Sequence, residues 1–185
     1  MNAEIQKENL SSQLRNEYGK VMYTYTAHWK DIDILSKRID FVKLIQIILS
    51  TLSTGGILSI IFSDCIWIKN VTALVSAILL AVNLYFKEFD LVEKVNRHRF
   101  TADSLWNILR SYESLLTDLP VLSIDEIIIK RDKLQNELSM IYKTAPPTSN
   151  EAYKETQKSL KYYEEQYFND EESDKILPPH LRKNK

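Results

Sequence analysis

LIQIILSTLSTGGILSIIFS, residues 44–63, and NVTALVSAILLAVNLYF, residues 70–86, contain no Asp, Glu, Lys or Arg. Charge bounds both: Lys43 precedes the first, Asp64 and Lys69 lie between them, and Lys87 and Glu88 follow the second. A soluble domain spreads its charge over every element, whereas here charge and apolar surface are segregated. A helix advances 1.5 Å per residue, so about 20 apolar residues cross the hydrocarbon core of a bilayer. The first span is read as Phe41 to Phe62. The second, read as 66–86, reaches spanning length only if Ile66 to Lys69 is helical and Lys69 snorkels outward. A thinner or deformed bilayer is the alternative. A connection as short as Ser63 to Asn70 makes the spans antiparallel neighbours. Gly55 and Gly56, mid-span, permit close helix approach. Trp67 suits one interface, and Tyr85 and Phe86 suit the other.

Basic residues set the expected orientation. Lys37, Arg38 and Lys43 lie at the start of the first span, and Lys87, Lys94, Arg97 and Arg99 follow the second. The connecting loop carries only Lys69. The positive-inside rule then puts both termini in the cytoplasm of a multi-pass protein of the inner (plasma) membrane. The apolar run begins behind about 40 mostly polar residues, which is not the layout of a cleaved signal peptide.

The remainder reads as all-α. The 185 residues include three glycines and five prolines, too little turn chemistry for a β protein. One cysteine, Cys65, precludes an intrachain disulfide. A net charge of −1 leaves no electrostatic footprint for nucleic acid, and none is expected as a partner. Over about residues 8 to 40, Leu10, Leu14, Val21, Tyr25, His28, Ile32, Leu35 and Ile39 keep the spacing of a helix seam. This helix runs straight into the first span. After the second span the helix is predicted to continue, with Leu91, Val95, His98, Ala102, Leu105, Leu109, Tyr112 and Leu116 as its seam and Leu119-Pro120 as its end. Ser123 and Glu126 form a capping box that opens a further helix with Ile127, Leu134, Leu138 and Ile141 on one face. Residues 145–150 form a stiff linker, and a last helix presents Tyr153, Thr156, Leu160, Tyr163 and Tyr167. The expected organisation is a cytoplasmic N-terminal helix (1–40), a transmembrane hairpin (41–86), cytoplasmic helices (87–168) and a disordered tail (169–185). The two seams at the base of one hairpin bury each other, with the Ser123 helix as a third partner.

No nucleotide-binding loop, zinc motif or nucleophile elbow is present, so no enzyme, cofactor or metal site is expected. His28 lies 15 residues before Lys43 and His98 lies 11 after Lys87, so the two sit within about one turn of each other in depth. They read either as a hydrogen-bonded core pair or as a protonation switch. Gln46, Ser50, Ser53 and Thr54 lie near one face of the first span, and Thr72, Ser76 and Asn83 lie on one face of the second. Gln46 and Asn83 share a depth. These faces either glue the hairpin or line a water-filled path in a homo-oligomer. No ionisable side chain lies deep in either span, which argues against an ion-coupled transporter.

The segment Asn96-Arg97-His98-Arg99-Phe100-Thr101-Ala102, followed by Leu105, Leu109 and Tyr112, is similar to the post-membrane helix of the SLATT proteins. These are two-transmembrane effector domains associated with bacterial SMODS and SLOG conflict systems. The stretch from Ser123 through Pro146-Pro147 to Ala152-Tyr153 is also similar, and the likeness covers most of residues 8–168. The resemblance implies an anti-phage effector that oligomerises and damages the inner membrane. Its trigger would be a separately encoded sensor, such as a nucleotide-signal synthase or a reverse transcriptase. The outcome would be death or arrest of the infected cell. Beside the bilayer and further copies of itself, that sensor is the expected partner. The residues alone equally accommodate a membrane-anchored adaptor that recruits a partner through its cytoplasmic helices, or a small channel subunit.

Overall fold

A computed structural model describes residues 3–62, 65–163, 165 and 169–182. Helix α1 (Ala3–Phe62) is followed by α2 (Ile66–Phe89), α3 (Leu91–Asp118), α4 (Ile124–Thr144), α5 (Asn150–Tyr162), α6 (Asp170–Ile176) and a 3-10 turn at Pro179–Leu181. No strand occurs among the described residues.

Helix α1 carries the N-terminal seam and the first span in one piece. Its 60 residues correspond to about 90 Å. It contains no proline, and it stays one continuous helix through Gly55 and Gly56. Helix α2 starts at Ile66, so residues 66–69 are helical and the second span reaches full length at 24 residues. The hairpin shows its aliphatic side chains outward, with Ile61 69 % and Leu74 62 % exposed. Both α1 and the α2–α3 run are long and apolar enough to cross a membrane. Their apolar windows are almost wholly unburied, unlike the core helix of a soluble protein.

The helix expected to continue after the second span is interrupted at Asp90. This residue adopts φ 36° and ψ 56°, the left-handed region, and ends α2 while capping α3. Its carboxylate accepts from the Glu93 backbone N–H at 3.1 Å. Aspartate tolerates this conformation better than most residues, and its short side chain caps the next turn.

Beyond the hairpin, α1 and α3 pair as a stem. The larger core joins Leu10, Leu14 and Val21 of α1 to Leu105, Leu109 and Tyr112 of α3 and to Ile127, Leu134 and Leu138 of α4. A smaller cluster nearer the hairpin holds Ile32, Ile39 and Val95, flanked by Trp29, Leu35, Phe86 and Leu91. The capping box opens α4 as predicted, with Ser123 and Glu126 exchanging backbone bonds at 3.3 and 2.9 Å. Helix α5 packs along α1 through part of the face expected of it, with Thr156 buried and Leu160 against the core, but not through its tyrosines. It buries Ala152, Thr156 and Ser159, while Tyr153 and Tyr163 are exposed. Tyr167 lies outside the described residues. The tail, expected to be disordered, carries α6. A second capping box, between Asn169 and Glu172, supports that helix with local hydrogen bonds.

Candidate functional site

The predicted polar faces of the spans meet in part. Gln46 Nε2 donates to Asn83 Oδ1 at 2.9 Å, and the hydroxyls of Ser53 and Ser76 share a hydrogen bond of 2.6 Å. Seven residues separate these rungs on each helix, two turns of a common seam. Half a heptad further, α1 passes Thr72 so closely that a Cβ at Gly56 would collide with the threonine hydroxyl. Gly55 has no such neighbour. The seam therefore brings together Gln46, Ser53, Thr72, Ser76 and Asn83 and is closed by contact. The other two candidates lie outside it: Ser50 and Thr54 are exposed, and the Thr54 hydroxyl donates back to Ser50 O at 2.9 Å. Among the described residues, the two helices of the hairpin pack against each other along this seam.

The second candidate lies in the stem, between its two apolar clusters. His28 and His98, 1 % and 6 % exposed, place their Nδ1 atoms 2.8 Å apart. One ring must donate and the other accept, so neutral rings of opposite tautomer satisfy the bond. Burial pushes the His28 imidazole down to about 4, helped by His98 and opposed by the Asp31 carboxylate. Burial also lowers His98, against Asp31 and with a smaller downward push from Arg97. At neutral pH the pair is an uncharged polar layer in an apolar stem.

Two residues that sequence reading passed over complete this layer. Asp31, 3 % exposed, accepts from the backbone N–H of Ser149 at 2.9 Å and from its hydroxyl at 2.6 Å. The Ser149 oxygen in turn accepts from Ala152 N–H at 3.1 Å, capping α5. Asp31 Oδ2, the atom that takes the Ser149 N–H, lies 4.0 Å from His98 Nδ1. A signal did exist: Asp31 stands one turn from His28 on the same face, and Ser149 occupies the cap position after a proline pair. Surface contacts extend this attachment. Arg38 pairs with Glu151 at 3.2 Å, Lys30 with Glu165 at 2.9 Å, and the Tyr23 hydroxyl donates to Tyr153 O at 3.1 Å. Burial, then the Tyr153 bond, pushes Tyr23 up to about 12. The Thr156 hydroxyl, buried on the docked face of α5, has no hydrogen-bond partner among the described residues. Among the described residues no group of three or more His, Cys, Asp or Glu is placed to hold a metal ion.

An exposed apolar hairpin rising from a buried helical stem defines a two-span membrane protein with an extramembrane bundle. Residues 10–172 match the model of the SMODS and SLOG-associating 2TM effector domain family 4, and the chain belongs to that family. The family is the one its post-membrane helix resembles. No curated protein and no solved structure matches the chain.

Proposed function

We propose that the protein is the membrane-acting effector of a bacterial anti-phage system. Signalled by a separately encoded sensor or its nucleotide product, it assembles with itself and permeabilises the inner membrane. The observation that carries this reading is an effector-family hairpin with lipid-compatible outer surfaces, both of whose spans lead into one stem. A rearrangement of the stem is thereby transmitted to the spans. Because the seam of one hairpin is closed, an aqueous path requires several copies and a repacking of their polar residues. The test is forced expression with a voltage-sensitive dye, together with crosslinking in native membranes. Depolarisation accompanied by a defined higher species is expected. A protein that stays monomeric in resting and triggered cells rules out the pore.

The adaptor reading rests on a different observation. Four of the seven polar candidates already pair with each other across the seam. An adaptor would leave the membrane potential untouched when expressed without its partner.

A further inference from the structure

One polar notch of the hairpin remains unexplained by the seam. Lys43, Gln46, Ser50 and Asn83 line a groove on its outer surface, walled by Ile47 and Leu79. No acidic residue lines it. Lys43 and the Ser50 hydroxyl have no partner among the described residues. The Gln46–Asn83 bond uses one N–H of Gln46 and the oxygen of Asn83. Both N–H groups of Asn83 and the second of Gln46 are thus unspent. The groove is an array of donors, headed by an ammonium, at the Lys43 end of the span.

Donors at that depth face hydrocarbon unless something supplies acceptors, and each one left unsatisfied is costly. A second copy of the same face would bring the Gln46 carbonyl and Ser50 hydroxyl as acceptors but also another Lys43, so it would set two ammoniums together with no counter-charge. The required ligand has an anionic, acceptor-rich head and an apolar body that can lie along Ile47, which is 63 % exposed. We propose that this groove is a binding site for one acidic phospholipid. Its phosphate would sit on Lys43 and its glycerol and ester oxygens within reach of Ser50 and Asn83. The proposal needs the hairpin to be seated in a bilayer and needs nothing of conduction. A chain that binds the lipid yet never depolarises cells would sink the effector reading and leave this one standing.

The test is native mass spectrometry of the full-length protein in mild detergent, titrated with phosphatidylglycerol or phosphatidylcholine. Phosphatidylglycerol should give a retained one-lipid adduct, and phosphatidylcholine should not. Lys43→Gln should weaken retention about five-fold, the scale of one lysine near an anionic surface. Asn83→Leu should weaken it with Lys43 intact, and it decides the matter if Lys43→Gln fails to fold. Lys87→Gln removes a charge at the same interface outside the groove and should change little. Equal losses from Lys87→Gln and Lys43→Gln would mean diffuse attraction and overturn the site. Equal retention of both lipids, or ready displacement by inorganic phosphate, would overturn the assignment to a lipid.

Discussion

A hydrogen bond between two Nδ1 atoms accommodates one proton, and this gives the stem a pH signature. Both imidazoles are held below the usual 6.5, His28 at about 4. Between those values the unfolded chain binds more protons than the folded one. The stability that the neutral pair supports is therefore complete above about pH 6.5 and is lost as pH falls toward 4. For His28 the loss amounts to about 3 kcal/mol. Melting in detergent across this range should be steeper for the parent than for a chain carrying His28→Leu and His98→Leu, and parallel curves would discard the pair as the cause. In the spans the Gln46–Asn83 rung is worth about 0.6 kcal/mol by comparison with other intramembrane hydrogen bonds. Gln46→Leu and Asn83→Leu should leave the protein inserted and abundant, yet weaken depolarisation in triggered cells. Ile47→Leu and Ile78→Leu, at exposed positions, serve as controls. If both amide variants depolarise like the parent at matched levels, the rung is glue and the adaptor reading gains.

Among the elements on the stem, α5 is tied to α1 by a run of polar contacts. Its buried face is Ala152, Thr156 and Ser159 with Leu160 half-buried beside them, which offers little apolar area, and the Thr156 hydroxyl has no hydrogen-bond partner among the described residues. Its attachment depends on polar contacts, chiefly that of Ser149 with Asp31. Ser149→Ala removes the hydroxyl bond to Asp31 and the cap, at a cost of about 1 to 3 kcal/mol, and keeps the backbone N–H bond to Asp31. Hydrogen exchange should then quicken in α5 while α3 and α4 stay protected. Thr156→Val should act in the opposite sense or not at all, because it deletes a polar group that bonds to nothing. Protection of α5 unchanged by Ser149→Ala would show that the small-residue face suffices. The long seams, the spans and the α4 capping box were legible because each is a local or periodic signal, as in Leu10 to Ile39. The α5 contact with Asp31 was not, because it joins residues 118 apart and uses small side chains that leave no apolar period. The break at Asp90 escaped for another reason: a left-handed backbone at a non-glycine residue leaves no mark in composition.

For the whole molecule, the Lys and Arg asymmetry about the spans predicts that both termini are cytoplasmic. Alkaline phosphatase fused near the N-terminus or after Lys185 should be inactive, and fusion near Asp64 should be active; an active C-terminal fusion reverses the topology. The two legs of the hairpin differ mechanically. Helix α1 is an unbroken rod whose far end grips the α3–α4 turn, with Lys7 Nζ donating to Pro120 O at 2.9 Å and to Leu122 O at 3.0 Å. The other leg has a knee at Asp90, where the regular backbone ladder stops and restarts. A tilt imposed at the distal end of the rod passes undiminished to the first span. The same tilt in the jointed leg can be absorbed before it reaches the second. A movement of the bundle is therefore expected to reach the two spans unequally, as through a lever beside a crank.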